Sequence, residues 1–195
     1  AMHWTDTRSR AEADKLREEL GEEIFKKTFH KPDTIWTLPQ LIWLRNNEPE
    51  TFAKIKYIFF EKDYVRYFLT DVFCTDYIEA EGSMLFDCNK MEWDSELCKL
   101  AGITVDMLPP VVKPTDVIGK ITAEAAKATE LCEGTPVICG TTDTVMEVFA
   151  SGAVKTTKDG KYSVYGVEST TGEIKIVSAD SVVPGDFKRG NVLKF

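Results

Sequence analysis

The sequence predicts an α/β fold, and three observations carry that reading. Up to about Val154, runs at helical spacing alternate with short runs rich in β-branched and aromatic residues. A turn of small residues joins a compact strand to a helix at residues 136–147. Finally, 43% hydrophobic and 29% charged residues are the balance of an ordinary globular domain. A chain of 195 residues buries roughly two-thirds of its unfolded surface, so no disulfide or metal is needed to hold it.

Residues Ser9 to Leu20 place Ala13, Leu16 and Leu20 on one face of a helix, with Ile24 beyond, and Gly21 is a stop signal. Leu38, Leu41 and Ile42 define a second helix ending near Arg45, and Pro49 can open a third. Ile55 to Phe60 suits a short buried strand. Lys62 to Leu69 is helical, with Tyr64, Tyr67 and Phe68 expected in the core. Thr75 to Met84 continues as helix, and Asp76 and Glu79 read as solvated surface carboxylates. Asp94 can cap a helix that Gly102 closes. Three prolines keep Leu108 to Pro114 extended. Ile121 to Glu130 is helical, Pro136 to Gly140 a strand, and helix follows to about Ser151. Beyond Val154 the pattern alternates, at Tyr162–Tyr165, Ile174–Val177 and Val192–Leu193, with a hairpin turn at Ser169–Gly172. These textures predict one unit over residues 1–154 and a β-rich segment over residues 155–195.

Charge and cysteine usage exclude several functions. Lys and Arg total 24 against 32 for Asp and Glu, and the net charge of −8 opposes a phosphate backbone, so nucleic acid is not an expected partner. No apolar run is long enough to span a bilayer, and no membrane partner is expected. Cys74, Cys88, Cys98, Cys132 and Cys139 are odd in number, widely spaced and lack a Cys-x-x-Cys pair. They read as reduced thiols of a cytoplasmic protein, with no metal site expected.

Chemistry concentrates at the junction Pro136-Val-Ile-Cys-Gly-Thr-Thr-Asp-Thr-Val-Met-Glu147. Ligands of open α/β sheets bind beyond the carboxyl ends of strands, and Asp143 would stand there. A carboxylate in that place can accept the proton of an attacking hydroxyl in phosphoryl transfer, and the helix N-terminus favours its ionised form. From the junction alone, the plainer reading of Asp143 is the cap of the following helix. The acidic pair Glu79 and Glu81 does not share a helix face and gives no glycosidase geometry.

Seven collinear segments resemble the FGGY carbohydrate kinases. They begin with Trp4-Thr-Asp-Thr-Arg-Ser9 and Thr37-Leu-Pro-Gln-Leu-Ile-Trp-Leu44, the latter followed by Glu48-Pro-Glu50. Lys62-Asp-Tyr-Val-Arg-Tyr-Phe-Leu-Thr70 and Thr75-Asp-Tyr-Ile-Glu-Ala-Glu-Gly-Ser-Met-Leu-Phe-Asp87 resemble a paired signature of that family. Trp93-x-Ser95-x-Leu97, Leu108-Pro109 and Gly134-Thr-Pro-Val137 follow, and Gly140-Thr-Thr-Asp143 stands where the family has Gly-Gly-Gly-Asp.

The resemblance implies an RNase H-like, actin-like ATPase lobe, a mixed sheet with packed helices. It implies Asp143 as catalytic base and Trp4 as a residue that packs on the substrate. Thr144 stands where relatives bind a sugar hydroxyl through Gln or Asn. Ile35 aligns with a tyrosine that contacts glycerol in glycerol kinases, which favours a ketopentose such as xylulose, or a related sugar or polyol, over glycerol. Asp71 replaces the family's usual turn glycine.

The intact family member would use ATP and Mg2+. The family's Asp-x-Gly-Thr hairpin and adenosine-binding lobe have no counterpart in the sequence, so tight nucleotide or metal binding is not expected, nor is activity of the chain alone. The alternative is a non-catalytic sugar-binding or assembly module with a kinase-derived fold. An α/β hydrolase ranks last, because His3 and His30 are poorly placed to serve a nucleophile. The partner expected is a small-molecule sugar, and the β-rich tail makes a homo-oligomer an expectation as well.

Overall fold

The computed structural model describes residues 2–150, 154–156, 162–167 and 174–178. The chain forms two compact units, Ala1–Thr141 and Thr142–Phe195. The division lies at the small-residue turn, whereas the texture of the sequence changes near Val154.

The first unit opens with α1 (Arg10–Thr28), which buries Ala13, Leu16, Ile24 and Thr28. The helix runs straight through Gly21 and ends at Phe29, whose φ of 58° is left-handed. Gly21 is therefore no stop. A mid-helix glycine costs only about 1 kcal/mol, and burial of Ile24 one turn later outweighs it. Next come α2 (Thr37–Asn47), α3 (Pro49–Phe52) with its proline in the first turn, and α4 (Glu61–Thr70).

Between α3 and α4 the expected strand does not form. Among the described residues no strand pairs with residues 55–60, and Ile58 N–H donates instead to Met107 O (2.9 Å). Only Phe60 of this run is buried.

Thr75 to Met84 splits into β1 (Thr75–Asp76) and α5 (Tyr77–Gly82) rather than one helix. Asp76 is the reason: its Oδ1 accepts the N–H groups of Ile78 (3.0 Å) and Glu79 (3.3 Å) and so starts the helix after itself. Then follow β2 (Phe86–Asp87), β3 (Glu92–Trp93) and α6 (Ser95–Ala101). Asp94 caps α6 through the amides of Glu96 and Leu97, both at 2.9 Å. Gly102 closes it at φ 86°, where an added Cβ would lie 2.9 Å from Arg45. A short 3-10 turn (Val105–Met107) leads to β4 (Val111–Val112), β5 (Val117–Lys120), α7 (Ala123–Thr129) and β6 (Pro136–Ile138).

The strands pair in small groups: β1 parallel to β4, β2 antiparallel to β3, and β5 antiparallel to β6. The core lies where α1, α2 and α6 meet the β2–β3 hairpin, around Leu16, Leu38, Leu41, Leu85, Leu97 and Leu108. In the second unit α8 (Asp143–Ala150) precedes an antiparallel meander of β7 (Val154–Thr156), β8 (Tyr162–Val167) and β9 (Ile174–Ser178). The expected alternation at 162–165 and 174–177 falls in β8 and β9. The turn at 169–172 and the run at 192–193 lie outside the described residues.

The face that α4 buries inverts the expectation. Tyr64 and Phe68 are 58% and 61% exposed, while Asp63, Arg66 and Thr70 are buried. Tyr67 packs on Phe59, which also meets Phe73, in a half-buried aromatic group.

Candidate functional site

The site begins where β6 ends. Cys139 N–H donates to Asp116 O and Gly140 N–H to Pro114 O, each at 2.9 Å. Gly140 turns the chain at φ 73°, a left-handed value that a glycine adopts without strain. Arg66 on α4 donates through Nη1 to the Cys139 carbonyl and through Nη2 to the Cys74 carbonyl, joining β6 to the approach of β1.

Asp143 is the first residue of α8, and its side chain is exposed. Its Oδ1 accepts the Thr144 N–H (2.7 Å), with the Thr144 hydroxyl at 3.4 Å. Thr144 is exposed beside it.

Trp4 belongs to the first unit and is 67% exposed, with its ring centroid 5.5 Å from that of His3. The turn that carries Trp4 is fastened to α2. Gln40 Nε2 donates to His3 O (3.5 Å), and the Arg8 guanidinium lies 4.3 Å from the centre of the Trp43 ring. Ile35, just ahead of α2, is also exposed.

A charged cluster beneath the β6 turn escaped sequence reasoning. Asp76, expected at the surface, is 0% exposed. Lys62 Nζ stands 2.6 Å from Asp63 Oδ1 and 2.7 Å from Asp76 Oδ2, and Arg66 Nη2 stands 3.0 Å from Asp63 Oδ1. The Lys62 contact to Asp76 is close but not aligned as a hydrogen bond, so it acts mainly as an ion pair. Burial by itself would lower the pKa of the Lys62 ammonium. The hydrogen bond to Asp63 and the charges of Asp63 and Asp76 together outweigh burial and raise it.

Glu79 Oε2 lies 3.7 Å from Lys62. Burial raises the Glu79 pKa, the charges of Asp63 and Asp76 raise it further, and Lys62 offsets this only in part. The one available signal in the sequence was spacing: Lys62, Asp63 and Arg66 share a helix face, with charges of both signs on it. Among the described residues no group of three or more His, Cys, Asp or Glu side chains is arranged to hold a metal ion. None of the described helices is long and apolar enough to cross a membrane, and all five cysteines are free.

The sequence profile of the FGGY family of carbohydrate kinases, N-terminal domain, matches residues 1–150. The chain belongs to that family. Xylulose kinase of Bacillus subtilis (strain 168) is 32% identical over 158 residues, which cover 81% of this chain and 32% of the relative. Gluconokinase of the same organism is 29% identical over 153 residues, covering 78% and 30%. Among solved structures, a xyloylose kinase from Brucella ovis superposes with a TM-score of 0.72 at 29% identity, covering 78% of this chain and 31% of that one. The fold is therefore that of the FGGY sugar kinases, an actin-like ATPase lobe of mixed helix and sheet. This FGGY chain spans about a third of the length of the curated relatives it matches.

Proposed function

We propose that the chain is the sugar-binding part of a carbohydrate kinase, carried by residues 1–154, with Asp143 as general base. In that role the Asp143 carboxylate takes the proton of a sugar hydroxyl as the sugar oxygen bonds to the γ-phosphorus of ATP. The bond to the ADP oxygen breaks, and ADP leaves. The observation that carries the reading is an exposed carboxylate on the first turn of α8, within the span that matches the family. Trp4 would pack on the substrate, and Thr144 would offer its hydroxyl to the sugar.

Similarity to xylulose kinases, together with the apolar Ile35, supports a ketopentose as substrate. Similarity to gluconokinases makes gluconate the substrate to compare it with. Mg2+ would be held by parts of the enzyme other than the described residues, and no step assigned to this chain runs through it. The chain by itself is expected to be inactive, since phosphoryl transfer depends on neutralising the phosphates as well as on the base. Free thiols throughout fit a cytoplasmic setting.

The test is ATP-dependent phosphorylation of D-xylulose, with gluconate and glycerol as comparisons, by this chain and by any longer polypeptide containing it. Asp143→Asn should lower kcat roughly 100- to 10,000-fold. Unchanged turnover in that variant removes Asp143 as the base. Turnover by the present chain alone would overturn its expected inactivity.

A further inference from the structure

Four residues carry the chain from β6 to the start of α8, and the first three are each tied to a different element. The Cys139 carbonyl accepts from Arg66 of α4, and Gly140 N–H donates to Pro114 O ahead of β5. Thr141 donates its hydroxyl hydrogen to Asp76 Oδ1 at 2.9 Å, across 65 positions of sequence. Thr141 is the last residue of the first unit, and Asp143 follows two residues later.

Asp76 is an unusually fixed acceptor. Its Oδ1 already holds the amides of Ile78 and Glu79 at the N-cap of α5, and its Oδ2 faces Lys62 Nζ at 2.7 Å. Lys62 is held in turn by Asp63, which Arg66 also meets. A carboxylate that served only as cap would need no hydroxyl from a distant turn. Here the same cluster grips that turn twice, once through the Cys139 carbonyl and once through the Thr141 side chain.

We propose that Asp76 is a positioning residue that acts through the Thr141 hydroxyl to fix the backbone leading into Asp143. The inference rests on the reading of Asp143 as general base for its catalytic meaning. The anchoring itself can be measured without turnover. A base displaced by a fraction of an ångström loses its alignment with the attacking hydroxyl while the sugar can still bind. The expected signature is therefore in kcat and not in KM.

Asp76 also caps α5 and balances Lys62, so replacing it endangers folding, and Thr141 is the residue to vary. Thr141→Val keeps the shape and removes the donor, while Thr141→Ser keeps the donor. In the purified chain, Thr141→Val should speed amide hydrogen exchange at Cys139 and Gly140, whose N–H groups are bonded to the Asp116 and Pro114 carbonyls, roughly tenfold or more, leave α6 unchanged, and be reversed in Thr141→Ser. Equal exchange in all three proteins overturns the anchoring.

In whichever polypeptide containing this chain turns over, Thr141→Val should lower kcat roughly 10- to 100-fold, with KM within about twofold, and Thr141→Ser should stay close to the parent. If Asp143→Asn abolishes turnover and Thr141→Val leaves it intact, the positioning role fails while the base assignment stands. If Asp143→Asn is itself harmless, the base assignment fails, and the exchange data judge the anchoring alone.

Discussion

Glu79 sits where the buried cluster meets solvent, and its environment gives it a measurable pH signature. Burial and the nearby Asp63 and Asp76 charges disfavour its carboxylate more than Lys62 favours it, so its folded-state pKa lies above the ordinary value of 4.5. The folded chain then holds this proton more tightly than the unfolded chain. The contribution of Glu79 to stability is full below about pH 4.5 and is lost as pH rises through the folded-state value. Glu79→Gln removes that loss. Urea denaturation from pH 4 to pH 7 should show the variant gaining on the parent as pH rises, and a constant difference would contradict the assignment. Lys62 behaves in the opposite range. Its raised pKa makes its contribution full below 10.5 and lost only as pH climbs through the folded-state value, so near neutrality it is a constant background to the Glu79 titration.

Helix ends and helix faces show which parts of the fold a single sequence discloses. The cap of α6 was readable because Asp94 and Gly102 each do one local thing, accept two amides and adopt a left-handed φ. The inverted face of α4 was not readable. Aromatic residues at helical spacing normally mark a core, but here Asp63 pairs with Lys62 and Arg66 of its own helix, Lys62 also pairs with Asp76 of β1, and Arg66 donates to the Cys74 and Cys139 carbonyls. The pairs within α4 have a local spacing, but Asp76 and Cys139 are brought to it by the fold, and no local pattern names them. The same holds at the site. Asp143 was legible from its turn and from resemblance, whereas Asp76 required the fold to bring it against Thr141.

Two glycine positions make the local rules testable. Gly21 lies inside α1, where an added Cβ would meet only Arg17 Cγ at an ordinary 3.8 Å. Asp71 instead occupies the left-handed C-cap of α4 at φ 58°, a conformation that glycine adopts without strain. Gly21→Ala should stabilise the chain by about 0.5–1 kcal/mol, and Asp71→Gly by a similar amount, about 0.5 kcal/mol or more. The two sites share no partner in the structure, so the effects should add in a urea titration of the double variant. A loss of stability in Gly21→Ala would mean that α1 does not continue through that position.

Among the described residues, every member of the buried apolar cluster lies between Leu16 and Leu108, and the buried charged group draws on Lys62, Asp63, Arg66, Asp76 and, through its carbonyl, Cys139. All of these precede Thr142, where the second unit begins. The first unit therefore contains its own apolar core, as a domain able to fold by itself does, and pairs its buried charges internally. Residues 1–141 made without the second unit should give helical circular dichroism and one cooperative thermal transition. Leu38→Ala, at a fully buried position, should destabilise that piece by about 3 kcal/mol. Leu38→Ala without effect, or a broad transition with dye-accessible apolar surface, would show that the first unit needs the second to pack. The Asp76–Thr141 bond would then have to be tested only in the whole chain, because its acceptor depends on a core that the shorter piece had failed to form.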